Sequence, residues 1–394
     1  MNISTNPIPS RIKAPTSKSY ANRALILAAL EPKPITIQGI PDSQDVLDLK
    51  INLEATGLIF ESDQWQWTVT NQFPECEPQG EELIDLPGSE GGTTIRFLMS
   101  LLSLGKRKYR LKLKERMSKR PLQNQIEALV SMGAKIELRE DVLEIQGPIK
   151  TSGEISIDCS DTTQGASSLL LLSRKYDLTI KPLDMSFSSR YWEMTESICK
   201  NFDSPYQVPA DFSSLSYLVA YAVLNQDLEI EGVSHKDHLQ ADARLMDYLS
   251  ELGARFEIEN NVLKVFKSNL KGSIEIDVKE CLDLFPTLAF LAAFSSAQFS
   301  FKNLAPLQFK ESDRRAEVFK LFDYFNVEYK YFESEDRLSV YPSQPIKSEG
   351  PITLPNDHRI IMAYALMLKQ LGGGKVPQYQ SVSKSFGNFF EYFS

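Results

Sequence analysis

Histidine is almost missing from this chain, with three in 394 residues, at His235, His238 and His358. His235 and His238 have helical spacing, but no cysteine joins them and the nearby acids read as ordinary loop and helix residues, so a metal site there is the weaker reading. Cysteine is scarce too. Cys76, Cys159, Cys199 and Cys281 are scattered with no C-x-x-C pair, which leaves reduced, mostly structural thiols of a cytosolic protein. Long apolar runs are absent: residues 24–30 and 288–294 fall far short of the ~18 needed to span a bilayer and read as buried helices. Positive charge is in deficit, 43 Lys and Arg against 52 Asp and Glu for a net charge of −9. That excludes a general binder of nucleic acid or of acidic membranes, which needs a broad basic face. Residues 1–13 are polar and contain proline, unlike a secretory signal. The expected location is cytoplasmic.

What the chain does have is cations where helices should begin. Ser17-Lys18-Ser19 with Arg23 one turn on, Thr93-Thr94-Ile95-Arg96, Arg120-Pro121, Lys310-Glu311-Ser312-Asp313-Arg314-Arg315 and Asp357-His358-Arg359 all place Lys or Arg at such starts. A helix N-terminus is the positive end of the dipole, so a cation there is mildly unfavourable. An oxyanion reverses the balance, because N–H groups, hydroxyls and cations can all point at it. Several such starts on an acidic background predict a cleft that gathers a multiply anionic small molecule.

The length favours two or three domains, and a 42% hydrophobic fraction is enough for large cores. One unit recurs. Leu245, Tyr248, Leu249 and Leu252 have helical spacing and run into Gly253; an alternating stretch, a turn at Asn260-Asn261 and a second alternating stretch follow. Residues 126–145 repeat this around Gly133, 49–69 around Gly57, and 318–340 with Asn326 at the turn; Gly and Asn both tolerate the left-handed position that ends a helix. Residues 195–208 read as a degenerate fifth copy. A spacing of about 75 residues between copies is long for a stacked solenoid and predicts a duplicated α/β architecture in two similar halves. Gly372-Gly373-Gly374-Lys375 lacks the spacing of a phosphate loop and is read as a flexible loop.

Taken together, the motifs resemble one family. Pro15-Thr16-Ser17-Lys18-Ser19-Tyr20-Ala21-Asn22-Arg23 resembles the opening motif of the EPSP synthase (3-phosphoshikimate 1-carboxyvinyltransferase) family. Gly91-Gly92-Thr93-Thr94-Ile95-Arg96, Arg116-Met117-Ser118-Lys119-Arg120-Pro121, Asp161-Thr162-Thr163-Gln164, Ser188-Ser189-Arg190-Tyr191, Gln240-Ala241-Asp242, Leu282-Asp283-Leu284, Lys310–Arg314, Asp357-His358-Arg359 and Lys384-Ser385-Phe386 follow in that family's order. The resemblance implies an α/β fold of two similar domains, each of three repeated βαβαββ units in an inside-out α/β barrel, with the active site in the interdomain cleft. Residues 1–14 with 213–394 would form one discontinuous domain and 15–212 the inserted one. It implies transfer of the enolpyruvyl group of phosphoenolpyruvate to the 5-hydroxyl of shikimate 3-phosphate by addition and elimination, with phosphate released. No cofactor and no metal are implied. A monomer is expected, with no nucleic-acid or membrane partner.

Both substrates carry a phosphate and a carboxylate, so separate cationic clamps are needed, bidentate where Arg serves and point-like where Lys does. By resemblance, phosphoenolpyruvate would be held by Lys18, Arg120, Gln164, Arg314, Arg359 and Lys384, with Gly92 letting the backbone approach. Shikimate 3-phosphate would be held by Lys18, Ser19, Arg23, Thr162, Thr163, Gln164, Ser188, Tyr191, Asp283 and Lys310. The proton transfers would fall to Lys18, Asp283 and Glu311. Plainer readings stand beside these: a solvated helix face for any one Arg, a first-turn helix acid for Glu311, an N-cap for Asp283. Because the clamps fall in both halves, closure on the substrates is expected. Thr16, Glu90, Ala241, Pro306 and Gly387 depart from the family's usual residues, and Glu90 puts a carboxylate beside an anion site. The cationic and carboxylate chemistry is intact, and retention of Gly92 makes glyphosate an expected inhibitor. The UDP-N-acetylglucosamine enolpyruvyl transferases usually have Asn after the N-terminal Lys and a reactive loop Cys; here Ser19 follows Lys18 and no Cys lies between Gly91 and Pro121. A non-catalytic phosphometabolite binder could lose Glu311 and Asp283, and both are present. A nucleic-acid end-processing enzyme fits neither the charge nor the histidines.

Overall fold

Runs that are apolar on every side form helices buried on every side, as a helix without a polar face must. In the computed structural model, which describes residues 1–63, 65–114, 117–185 and 189–394, the first is α1 (Lys18–Leu30), capped by Ser17 and buried at every residue from Tyr20 to Leu30. It belongs to one of two compact units, Thr16–Pro209; Met1–Pro15 with Ala210–Ser394 form the other.

In the Thr16–Pro209 unit, α1 alternates with α2 (Gln44–Ala55), α3 (Gly92–Leu102), α4 (Gln123–Ser131), α5 (Gln164–Leu172) and α6 (Ser189–Asn201). The helices α1, α3 and α5 pack on one another as a buried layer. Strand Ile84–Ser89 lies parallel to Lys108–Leu113, which pairs antiparallel with Val142–Gln146, itself in a hairpin with Lys135–Arg139. The same order recurs in Tyr206–Gln207, Ile35–Gln38, Gln66–Val69 and Phe60–Ser62. A third repeat is reduced to the parallel pair Ser152–Asp158 and Asp177–Leu183.

The other unit repeats the plan with α7 (Phe212–Asn225), α8 (Leu245–Glu251), α9 (Phe285–Phe294), α10 (Arg314–Tyr324), α11 (His358–Gln370) and α12 (Phe389–Phe393). Here α7, α9 and α11 form the buried layer. Its four-stranded sheets run Arg11–Lys13, Leu228–Glu231, Val262–Phe266, Arg255–Glu259 and Ser273–Asp277, Gln298–Lys302, Arg337–Val340, Tyr329–Phe332. All of these sheets are open. A parallel pair needs a crossover; between Arg11–Lys13 and Leu228–Glu231 that crossover contains α7 and, ahead of it, the whole of the Thr16–Pro209 unit.

The helix-then-hairpin copies around Gly57, Gly133, Gly253 and Asn326 are all present, with φ of +98°, +110°, +94° and +55° at the turn residue. Two details differ from the sequence reading. Residues 195–208 give a helix and one strand, Tyr206–Gln207, which leaves its neighbours to join the sheet of Ile35–Gln38. The glycine run is structured at its end: Gly374–Lys375 pairs with Asn2–Ile3, and a Cβ on Gly373 would lie 2.4 Å from the Ile3 carbonyl oxygen, so only glycine fits. Among the described residues no helix is long and apolar enough to cross a membrane, and no three His, Cys, Asp or Glu are grouped to hold a metal.

Candidate active site

Many of the motif residues lie at or near helix N-termini, where unsatisfied N–H groups and the helix dipoles favour anions. In the Thr16–Pro209 unit, Gly92 opens α3 beside two guanidiniums. A Cβ on Gly92 would stand 2.3 Å from Arg120 Nη1 and 2.9 Å from Arg96 Nη1, so the missing side chain is what lets both cations approach. Arg96 donates to Gln164 Oε1 at 2.8 Å, to the Gly92 carbonyl at 3.2 Å and to the Pro121 carbonyl at 2.6 Å. Gln164 in turn donates to Thr93 Oγ1 at 3.1 Å. Burial, and then the neighbouring Arg120 charge, pull the Arg96 guanidinium down to about 9. These partners are neutral, and two adjacent cations with no carboxylate bound to them among the described residues favour a ligand that brings negative charge. A hollow lined by Arg96, Pro121, Gln125, Asp161, Thr162 and Gly165 lies beside them. Lys18 is engaged differently: its Nζ donates to Asp45 Oδ2 at 2.8 Å.

Arg23, Ser19 and Tyr191 come together in the same unit. The Arg23 guanidinium is fully enclosed, donating to the Ser19 carbonyl at 2.9 Å, the Tyr191 carbonyl at 3.1 Å and Thr195 Oγ1 at 2.8 Å. Burial pulls it down to about 10, since no carboxylate shares the enclosure among the described residues. Thr162 Oγ1 accepts from the Gln164 N–H at 3.3 Å, and Thr163 is buried at the start of α5. Ser188 and Arg116 lie outside the described residues.

The second cluster lies in the unit of Met1–Pro15 with Ala210–Ser394. Arg314, at the start of α10, is fully buried and holds three carboxylates: Asp283 through Nη1 at 2.6 Å, Glu311 through Nη2 at 2.6 Å and Asp357 through Nε at 3.0 Å. Asp283 also meets Lys310 Nζ at 3.5 Å and Arg359 Nη2 at 3.6 Å. Burial alone would raise the Asp283 carboxyl, but Lys310, Arg359 and Arg314 overcome it and hold the group well below the usual carboxylate range. These cations thus favour the ionised form of Asp283. Its reading as an N-cap is not met: Leu284 takes that position, and Asp283 turns to the cations instead. Glu311 precedes α10, which begins at Arg314, so it is not a first-turn acid either. Lys384 ends the short helical turn Tyr379–Lys384, which packs on α11.

Several residues of these clusters carried no assigned role in the sequence reading. Asp357 caps α11, accepting from the Arg359 N–H at 3.0 Å, and also accepts from Ser312 Oγ at 2.9 Å. Ser213 accepts from Arg359 Nη2 at 2.9 Å and donates to Asp242. Burial, then the Asp283 charge, push the Asp242 carboxyl up to about 6, against the pull of Arg359 and Ser213. Asp357 and Asp242 sit inside recognisable motifs and could have been inferred from the cations beside them. Asp45 gave no signal, because Ser43-Gln44-Asp45 looks like any helix start.

The sequence profile of the EPSP synthase (3-phosphoshikimate 1-carboxyvinyltransferase) family matches residues 4–205 and 199–393. The chain is 30% identical over 408 aligned residues to the 3-phosphoshikimate 1-carboxyvinyltransferase of Thermococcus kodakarensis, spanning 98% of this chain and 96% of that relative. It is 28% identical over 402 residues to the same enzyme of Pyrococcus abyssi, spanning 97% and 94%. Among solved structures, an EPSP synthase from Acinetobacter baumannii matches with a TM-score of 0.78 at 20% identity, over 99% of this chain and 96% of that one. The enolpyruvyl transferase NikO from Streptomyces tendae matches with a TM-score of 0.72 at 14% identity, over 100% and 96%. At these identities the structural likeness speaks for the fold.

Proposed function

The chain belongs to the EPSP synthase family, and from that premise we propose that it transfers the enolpyruvyl group of phosphoenolpyruvate to the 5-hydroxyl of shikimate 3-phosphate. The observation that carries this reading is the pair of carboxylates on one guanidinium: Asp283 and Glu311, each 2.6 Å from Arg314. A protein that only bound phosphometabolites would have no use for two acids fixed side by side among cations. An addition–elimination needs both a proton acceptor and a proton donor.

The 5-oxygen attacks C2 of phosphoenolpyruvate and loses its proton, while C3 gains one and becomes a methyl group. The tetrahedral adduct then loses a methyl proton and expels phosphate by breaking the C2–O bond, which restores the double bond. Asp283, held ionised by Lys310, Arg359 and Arg314 against the effect of burial, takes the role of acceptor at the 5-hydroxyl. Glu311 is assigned the proton transfer at carbon. Lys18 neutralises the leaving phosphate. Arg120 at Gly92, with Arg314, Arg359, Lys384 and Gln164, holds phosphoenolpyruvate. Arg23, Ser19, Tyr191, Thr162, Thr163 and Ser188 receive the shikimate ester, with Lys310 beside Asp283. Arg314 has its carboxylate partners already in place, so binding a further carboxylate there requires one of them to be exchanged. Arg23 is closed over by main-chain carbonyls and opens only if Tyr191 or Ser19 moves.

Phosphate release from phosphoenolpyruvate, measured in parallel with shikimate 3-phosphate and with UDP-N-acetylglucosamine, tests the reading. Release with the shikimate ester alone, lost in Glu311→Gln, is the expected result; release with the nucleotide sugar alone would overturn it. Glyphosate is proposed to compete with phosphoenolpyruvate at Gly92 and Arg120, and unchanged kinetics at high glyphosate would remove that part.

A further inference from the structure

Three helix starts of the Thr16–Pro209 unit meet around one carboxylate. Asp45 lies in the first turn of α2, where the dipole favours an anion, and is 5% exposed. The ammonium of Lys18, the first residue of α1, donates to Asp45 Oδ2 at 2.8 Å. In the first turn of α3, Thr94 Oγ1 donates to the Asp45 carbonyl at 3.0 Å. Gly91 caps α3, and a Cβ there would lie 2.8 Å from Asp45 Cγ and 2.9 Å from Oδ1. The Asp45 carboxylate thus fills the space that any larger residue at position 91 would need.

We propose that Asp45 is a positioning residue that serves as the internal counter-anion of Lys18. It fixes the ammonium at the start of α1 and competes with an arriving phosphate group for it, and Gly91 is the residue that admits the carboxylate. The inference rests on the reading of Lys18 as a phosphate-neutralising group. A doubly charged phosphate displaces a singly charged carboxylate more readily than a monoanion does, so the pair selects for the more highly charged group. When phosphate has been expelled, Asp45 recaptures Lys18 and hastens release.

Calorimetric titration of inorganic phosphate into the full chain tests this without any turnover, so its failure is separate from failure of the reaction assay. Asp45→Asn should bind phosphate about fivefold more tightly at low salt, the scale of one screened ion pair. Gly91→Ala should shift affinity in the same direction by forcing the carboxylate away, and the double variant should gain no more than either single one, because both remove one interaction. Lys18→Met should weaken phosphate binding and abolish the gain. A purely structural role for Asp45 would give weaker binding, not tighter. Phosphate bound no more tightly by Asp45→Asn than by the wild type, at an unchanged melting temperature, would overturn the proposal. Should Asp45→Asn fail to fold, the same comparison with Gly91→Ala decides it.

Discussion

Arg314 and Asp357 meet through two contacts, Nε to Oδ2 at 3.0 Å and Nη2 to Oδ1 at 3.5 Å, with neither side chain exposed at all. Asp357 is at once the cap of α11, the acceptor for Ser312 and the anchor of the guanidinium that holds Asp283 and Glu311. It helps fix Arg314, so that Asp283 and Glu311, the two acids proposed to carry the chemistry, share a fixed partner.

Asp357→Asn should therefore cost both stability and activity. Removing one partner of an isolated buried pair costs about 3–5 kcal/mol. Here Asp283 and Glu311 remain on Arg314, so the expected loss is smaller, about 1–3 kcal/mol. Chemical denaturation reads the stability. A midpoint equal to that of the wild type would mean that Arg314 is fixed without Asp357.

Gly92→Ala should act on Arg120. A methyl group 2.3 Å from Arg120 Nη1 has no room, and the guanidinium is free to swing more readily than the helix can shift. The expected result is a rise in KM for phosphoenolpyruvate of about tenfold, equivalent to about 1.4 kcal/mol, with a smaller change in kcat. Steady-state kinetics with each substrate varied in turn checks it. An unchanged KM would remove Arg120 from the phosphoenolpyruvate clamp.

Asp242 and Asp283 should give stability opposite dependences on pH. Burial and the Asp283 charge raise Asp242 from 3.8 to about 6, so the native state binds its proton more tightly than the unfolded chain does. Its contribution is fully present below the unfolded value and is lost as pH rises through about 6. Asp283 is depressed: its contribution is present above the ordinary carboxylate value and is lost as pH falls through its native one. Denaturation midpoints taken from pH 4 to 7 should fall less steeply with rising pH in Asp242→Asn than in the wild type. Parallel curves would mean that Asp242 ionises as an ordinary carboxyl.

Lys369 ties three stretches of chain together. Its buried ammonium donates to the carbonyls of Ser4 at 3.1 Å, Asn6 at 2.7 Å and Phe393 at 3.4 Å, from the last turn of α11. Lys369→Met leaves those acceptors without this donor, at a cost of about 1–3 kcal/mol. Limited proteolysis should then cut first near residues 4–6. An unaltered cleavage pattern would mean that the Asn2–Ile3 strand is held without Lys369, by its pairing with Gly374–Lys375 and the neighbouring main-chain bonds.

The repeats were legible because their signals are local: a helical apolar stripe, a residue that accepts positive φ, and two alternating stretches. Burial of α1 and α9 was legible from the apolar runs at residues 24–30 and 288–294. The order of strands was not, because nothing in residues 206–207 says that they cross to the sheet of Ile35–Gln38. At the site, cations at helix starts announced an anion, and the family resemblance supplied roles for them. The partners of those cations stayed hidden. Asp45 lies 27 residues from Lys18, and only the packed helices bring the two close. Two of the three acids on Arg314 are likewise a product of packing: Glu311 is local, but Asp283 and Asp357 lie 31 and 43 residues away.

An enolpyruvyl transfer breaks the C–O bond of phosphoenolpyruvate, whereas a phosphoryl transfer breaks its O–P bond. Shikimate 3-phosphate labelled with heavy oxygen at its 5-hydroxyl, incubated with phosphoenolpyruvate and the full chain, separates the alternatives by mass spectrometry. The account predicts that the label stays in the ether oxygen of the enolpyruvyl product and that the released phosphate is unlabelled. Label found beneath a new phosphate ester, with free pyruvate formed alongside it, would show phosphoryl transfer and contradict the account.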